Sequence, residues 1–172
     1  MKKKLMKQLQ TSRLILRNLS PQDLPVILRI RNDPNCAKYQ RWNETSADAI
    51  SALITDHNKD RFPSLCHEQR YAIALTCGIC IGDLTVFYSE TDRCFTLGVS
   101  VDPDHQRNGY AYEILTRVIE TLQKLAPTEE IVALIHPENT ASIALFTKLG
   151  FLLECYAKSI DSNVYVIKPQ HN

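Results

Sequence analysis

Apolar positions along this chain change period several times, and each change marks a new element. Leu14-Ile15-Leu16 between Arg13 and Arg17 reads as a short strand. Ser20-Pro21-Gln22-Asp23 then supplies a capping serine, a proline at the first helical position and an acid three residues after the cap. Leu24, Ile27, Leu28 and Arg31 continue at helical spacing until Asn32-Asp33-Pro34 stops the run. Thr45-Ser46-Ala47-Asp48 opens a second helix carrying Ile50, Leu53, Ile54 and His57. Between the two lies Tyr39-Gln40-Arg41-Trp42, a polar-aromatic loop with the sole tryptophan.

Three closely spaced strands follow: Tyr71 to Leu75, Ile79 to Tyr88 and Cys94 to Val101, turned through Thr76-Cys77-Gly78 and Ser89-Glu90-Thr91-Asp92 as an antiparallel meander. The period then returns to that of a helix. Ala111, Ile114, Leu115, Val118, Ile119, Leu122 and Leu125 form one apolar stripe, which Pro127 closes. Ile131 to Ile135 is a continuous apolar run, as in a strand buried on both faces. Asn139 caps a helix through Ala141, Ala144, Leu145 and Leu149, ended by Gly150. Phe151 to Tyr156 and Val164 to Ile167 finish as strands around Asp161-Ser162-Asn163. The order is β-α-α-β-β-β-α-β-α-β-β, an α/β (α+β) mixed sheet with helices on its faces. A basic tail is expected over 1–10, one domain over 11–168 and a short C-terminal tail over 169–172.

At 172 residues and 44% hydrophobic, the chain suits one domain that buries about 70% of its unfolded surface. No apolar run approaches the roughly 20 residues of a membrane span, so no membrane partner is expected. Lys plus Arg number 20 and Asp plus Glu 19, a net charge of +1 that demotes nucleic acid as a partner. The start, Met1-Lys2-Lys3-Lys4-Leu5-Met6-Lys7, is basic without an apolar stretch after it, which fits a solvated tail rather than a secretion signal. The cysteines at 36, 66, 77, 80, 94 and 155 read as reduced thiols of a cytoplasmic protein. Cys77-Gly78-Ile79-Cys80 has zinc spacing but no second ligand pair, so its thiols read as hairpin residues and no metal is expected.

Of the five glycines, Gly109 is the informative one. It stands between a strand and the start of the best helix, in Gln106-Arg107-Asn108-Gly109. Successive main-chain N–H groups leading into a helix N-terminus form a preformed anion site, with Arg107 as a cation at the rim; a plain strand-to-helix turn is the alternative. Neither GxxxxGK[ST] nor GxGxxG is present, which excludes P-loop NTPases and dinucleotide-binding folds.

Gln106-Arg107-Asn108-Gly109-Tyr110-Ala111 resembles the acyl-CoA signature Q/R-x-x-G-x-G/A of the GNAT N-acetyltransferases. Thr11-Ser12-Arg13-Leu14-Ile15-Leu16-Arg17, Ile30-Arg31-Asn32-Asp33-Pro34, Ile81-Gly82 and Leu97-Gly98-Val99-Ser100-Val101-Asp102-Pro103 occur in the order of its RimJ/RimL-type branch. His136-Pro137-Glu138-Asn139-Thr140-Ala141-Ser142 and Lys148-Leu149-Gly150-Phe151 complete the series over roughly residues 11 to 168. The resemblance implies an acetyl-CoA-dependent N-acetyltransferase with a splayed central strand pair. Gln106, Arg107, Asn108, Gly109, Tyr110 and Ala111 would bind the pyrophosphate. Val99, Ser100 and Val101 would line the pantetheine arm, with an N–H near Val101 polarising the thioester carbonyl. Asn139 would contact the arm, with Ser142 one helical turn beyond.

Both acid–base groups of the family pattern are replaced here: Phe146 stands at the tyrosine position and Thr96 at the glutamate position. Ser142 remains as a proton donor to the departing thiolate, or else as a polar residue in a first helical turn. His105, Glu44, Asp83, Tyr88 and His136 are further titratable groups, with His105 read as a solvated loop residue. The acceptor would be a primary amine, on a protein or peptide N-terminus or on a small molecule such as a polyamine or aminoglycoside. It would be met by Asn35 through Glu44 and Tyr156 through Asn163, where Tyr39, Trp42 and Tyr156 either stack on substrate or pack as a lid. An acyl-CoA-binding module with little catalysis is the competing reading, and a homodimer is an expectation from the resemblance.

Overall fold

The computed structural model describes residues 8–59, 62 and 68–169. The basic run Met1 to Lys7, Cys66 and residues 170–172 lie outside the described residues. The elements are β1 (Leu9–Gln10), β2 (Leu14–Asn18), α1 (Leu24–Asn32), α2 (Pro34–Ala37), α3 (Ala47–His57), β3 (Gln69–Leu75), β4 (Cys80–Ser89) and β5 (Cys94–Val101). They continue as α4 (Tyr110–Leu125), β6 (Glu130–Ile135), α5 (Thr140–Lys148), β7 (Leu152–Ala157) and β8 (Ser162–Ile167). One eight-stranded mixed sheet runs β1-β2-β3-β4-β5-β6-β8-β7. Every neighbouring pair is antiparallel except β5 and β6.

Two short elements add to the expected order. β1 begins inside the segment expected to be a tail: Leu9 pairs with Leu16 and is 1% exposed, because an apolar side chain beside β2 gains more from the core than from water. α2 starts at the proline that ends α1. The Asp33 carboxylate caps it, accepting from the N–H groups of Asn35 and Cys36 at 3.0 and 2.8 Å.

Side chains alternate across β3, with Tyr71 and Ile73 in one core and Ala72 in the other. The larger core joins Leu14, Leu16, Phe95 and Phe151 to the stripe of α4, namely Ile114, Leu115, Val118, Ile119 and Leu122. Each such burial contributes about 1.5–3 kcal/mol. On the opposite face Ile27 of α1 packs with Ile50, Leu53 and Ile54 of α3. Helices thus cover both faces.

α1 is also tied to the sheet by charge. Arg31 donates to the Asp83 carboxylate on β4 at 2.7 Å, with both residues buried. The Trp42 ring lies 4.2 Å from the Arg31 guanidinium. Burial lowers the Arg31 pKa, and Asp83 opposes that fall. Next to Asp83, β4 comes so close to β5 that a Cβ on Gly82 would overlap the Ser100 carbonyl oxygen.

β6 departs from the expected two-faced burial. Leu134 is 46% exposed, because β5 and β6 pair only at Cys94↔Glu130, Phe95↔Ile131 and Thr96↔Val132 and then diverge. The splayed pair expected at the centre of the sheet is present. Among the described residues no helix is long and apolar enough to cross a membrane.

Candidate functional site: the loop before α4 and a split between parallel strands

Between β5 and α4 the chain makes two left-handed steps, at Arg107 (φ 61°) and Gly109 (φ 77°). The second suits glycine; the first is uncommon for a residue with a Cβ and marks a conformation held by its surroundings. The main-chain N–H groups of Arg107, Asn108, Gly109, Tyr110, Ala111 and Tyr112 find no acceptor among the described residues. They stand at the positive end of the α4 dipole, where negative charge is favoured. This loop lines a cleft of about 260 Å³ together with Val101, His105, Ala141 and Leu145.

Side chains brace the loop. Asn108 Nδ2 donates to the carbonyls of His105 at 3.1 Å and Gln106 at 3.0 Å, and Gln106 Nε2 donates to Val101 O at 2.9 Å. Asp102 is fully buried; Arg29 of α1 donates to its Oδ2, which also meets His105 Nδ1 at 2.9 Å. A carboxylate only accepts, so His105 Nδ1 is the donor of this pair. His105, expected to be a solvated loop residue, is half-buried and oriented. Arg13 and Glu113, which no site reading singled out, complete the bracing. Glu113 accepts from Thr11 Oγ1 at 2.6 Å, Ser12 Oγ at 3.2 Å, Arg13 N at 3.0 Å and Arg13 Nε at 2.6 Å. Burial pushes its pKa up, but these hydrogen bonds outweigh it and hold the carboxyl below its ordinary range. Pairings a hundred residues apart leave no mark in local spacing.

The split between β5 and β6 continues from the loop. Asp102 N donates to Ile81 O at 2.8 Å, which sets the phase of the β4–β5 ladder. Only every second residue of a strand turns its main chain toward a given neighbour. Gly98 and Ser100 therefore face β4, whereas Leu97, Val99 and Val101 face the split. Glu130 N donates to Arg93 O at 3.1 Å, in the same phase, so Leu134 faces the split from β6. Beyond the last rung at Thr96 and Val132 these edges have no partner strand inside the sheet, an opening an extended chain could pair with. The slot between them is lined by Leu97, Gly98, Val99, Leu134, His136, Asn139, Ser142 and Phe146, with Tyr39 and Gln40 at its mouth.

At that mouth Tyr39 stacks on His136, ring centroids 5.0 Å apart. His136 Nδ1 accepts from Glu138 N at 3.2 Å, and its Nε2 lies 3.4 Å from Asp161 Oδ2. Tyr156 donates to Asp161 Oδ1 at 2.7 Å, which with His136 and Arg41 keeps the Asp161 pKa low. Trp42 instead packs on Arg31.

A family model described as "Acetyltransferase (GNAT) domain" matches residues 13–152. The chain belongs to the GNAT acetyltransferase family. It is 28% identical to the uncharacterized N-acetyltransferase YoaA of Bacillus subtilis (strain 168), over 94% of this chain and 97% of that one. Among solved structures it is similar to spermidine N-acetyltransferase from Vibrio cholerae in complex with CoA and spermine, with TM-score 0.71, 21% identity and coverage of 91% of this chain and 94% of that one. It is also similar to RimL, the ribosomal L7/L12 alpha-N-protein acetyltransferase, with TM-score 0.77, 17% identity and coverage of 92% and 91%. At these identities the two structures speak to the fold.

Within this GNAT acetyltransferase, Phe146 is buried at 3% exposure and meets Phe151 edge-on at 5.0 Å, so an apolar ring closes the slot at that position. Thr96 sits on the last paired rung before the split. Asn139 caps α5, accepting from Ser142 N at 3.2 Å. The Ser142 hydroxyl has no partner among the described residues. The cysteines at 77 and 80 diverge: Cys77 is exposed in the hairpin, whereas Cys80 is buried and its thiol donates to Gly82 O at 3.4 Å. Burial pushes the Cys80 pKa up to about 12.

Proposed function

We propose that this GNAT protein transfers the acetyl group of acetyl-CoA to a primary amine, in the manner of the RimJ/RimL branch and within the cytoplasm. The observation that carries the reading is the direction of the main chain: Leu97, Val99 and Val101 face an open split that runs into the fan of unpaired N–H groups at Arg107 to Ala111. A cofactor with an extended amide-bearing arm and a pyrophosphate matches both parts. Arg107, Gly109, Tyr110 and Ala111 would hold the phosphates, Val99 and Val101 would pair with the arm, and Asn139 would flank it. When bound, acetyl-CoA supplies an activated acyl thioester.

The chain's own contribution is then placement and charge. Val101 stands beside the phosphate cleft with its carbonyl taken by Gln106, whereas Val99 lies in the slot beside Ser142 and Asn139. We therefore assign the N–H that polarises the acyl oxygen to Val99 rather than to the Val101 expected from the family pattern. As the C–N bond forms and the C–S bond breaks, Ser142, with its hydroxyl uncommitted, would relay the proton given up by the attacking nitrogen to the leaving sulfur. The amine would enter past Tyr39 and His136, where Asp161 offers a carboxylate to an ammonium. Holding the two reactants together can supply much of the barrier reduction, so no covalent intermediate on the enzyme is needed.

Phe146 and Thr96 favour one competing reading, a module that binds acyl-CoA without turnover. Thiol release from acetyl-CoA across a panel of peptide N-termini, polyamines, aminoglycosides and amino acids separates the two. Amine-dependent release with one class is the expected outcome; CoA binding with no release for any amine would establish the binding module instead.

A further inference from the structure

Arg13 stands out because it touches the anion loop from behind. Its Nη1 donates to the Asn108 carbonyl at 3.1 Å, and its guanidinium lies over the Tyr110 ring at 4.6 Å. Its Nε is locked to Glu113 in the first turn of α4 at 2.6 Å. Yet Arg13 is not among the residues lining the cleft. Its contacts are with the loop itself, at the Asn108 carbonyl and the Tyr110 ring.

Peptide geometry says what that is. In a trans peptide the C=O and the following N–H point in opposite directions. A donor that draws the Asn108 carbonyl to the back of the loop therefore aims the Gly109 N–H to the front. Asn108 applies the same constraint one step earlier: by holding the Gln106 carbonyl at 3.0 Å it orients the Arg107 N–H. Such orientation is not free, since Arg107 has to adopt a positive φ to satisfy it. Glu113 keeps Arg13 in register, and Thr11 and Ser12 on β2's approach tie the same carboxylate to the edge of the sheet.

We propose that Arg13 is a positioning residue for the anion site: held by Glu113, it pins the Asn108 carbonyl away from the cleft so that the Gly109 N–H faces the ligand's phosphate. The inference rests on the reading of this loop as the CoA pyrophosphate site. It also explains why an arginine, rather than any cation, serves at position 13. A guanidinium can serve Glu113 with one nitrogen and a carbonyl with another, while its flat face covers an aromatic ring; an ammonium cannot do all three.

The experiment compares wild type, Arg13→Gln and Arg13→Lys. CoA affinity is measured by calorimetry, and turnover with two acyl donors, acetyl-CoA and S-acetylpantetheine, which lacks the pyrophosphate. A misdirected N–H forfeits one charge-assisted hydrogen bond, so CoA should bind Arg13→Gln about 10- to 100-fold more weakly. With acetyl-CoA the loss should fall on KM, while kcat/KM for S-acetylpantetheine stays within about twofold of wild type. Equal losses with both donors would mean general damage to the slot and would overturn the proposal, as would unchanged CoA affinity in folded Arg13→Gln. If Arg13→Gln does not fold, Arg13→Lys decides on the same readouts, and wild-type CoA affinity in that variant is the refuting result. A wild-type protein that binds no CoA would remove the underlying site reading, and the proposal with it; CoA binding by wild type with no effect at Arg13 removes the proposal alone.

Discussion

Replacing Gly109 with valine tests the loop most directly. Gly109 has φ 77°, and a Cβ there would meet Arg13 Nη2 at 3.6 Å, an ordinary contact. Crowding by neighbours is therefore not the main cost; the conformation is. A left-handed residue with a Cβ costs roughly 1–2 kcal/mol, and β-branching makes that region more strained still. Gly109→Ala isolates the conformational part and should lower Tm by about 2–8 °C at roughly 2–4 °C per kcal/mol for a chain of this size. Gly109→Val adds methyl groups aimed at the Arg13 guanidinium. The chain then relieves strain by rotating the peptides on either side, which turns the Gly109 and Tyr110 N–H groups away from the cleft. CoA affinity, measured by calorimetry on protein shown to be folded, should fall about tenfold or more, the worth of one charge-assisted hydrogen bond. Wild-type affinity in a folded Gly109→Val protein would refute the assignment of this loop to the phosphates. An unchanged Tm in both variants would refute the conformational argument separately.

Ser142→Ala divides two roles: if the hydroxyl protonates the leaving thiolate, kcat should drop about 10²–10⁴-fold with CoA affinity and Tm preserved. A loss confined to stability, up to about 1 kcal/mol or roughly 2–4 °C in Tm, would mark a local structural role instead. Gly82→Ala should destabilise by about 1–3 kcal/mol or more, since its Cβ would overlap the Ser100 carbonyl and force β4 from β5; a melting curve within a degree of wild type would contradict that close approach.

Periodic elements were legible in the chain because each carries its own signal. The stripe of α4 needs nothing but a spacing near 3.6, and the Ser46 cap of α3 is realised, with Ser46 Oγ accepting from Ala49 N at 3.2 Å. Gly109 was legible for the same reason, since one glycine before a strong helix has few uses. Leu9 was not, because a two-residue strand has no period to read. Leu134 was misread because an apolar run looks alike whether its neighbour stays or splays away. The braces of the site were the least legible. Arg13, Arg29 and Glu113 look like surface charges in sequence, and only the fold shows that they meet the Asn108 carbonyl, Asp102 and Thr11. Main-chain direction was equally hidden: the parity that turns Val99 and Val101 toward the split, and Ser100 toward β4, depends on the ladder phase set by Asp102 and Ile81.

The loop and the split also carry a shared energetic logic. The main-chain N–H groups from Arg107 to Tyr112 lack a protein acceptor among the described residues, on residues that are exposed or half-buried, and holding them in one arrangement at the start of one helix costs conformational freedom. The positive φ of Arg107 adds to that cost. A chain free to relax would fold these groups back on neighbouring carbonyls. It is prevented from doing so because those carbonyls are already engaged: His105 and Gln106 by Asn108, Val101 by Gln106, and Asn108 by Arg13. Occupying the acceptors is thus what keeps the donors open. The same reasoning applies along the split, where the β4 ladder engages Ser100 and leaves Val99 and Val101 facing outward. Under the proposed function, a site built in this way needs few chemically special side chains, which fits a sequence with Phe146 and Thr96 at the positions where the family pattern has acid–base groups.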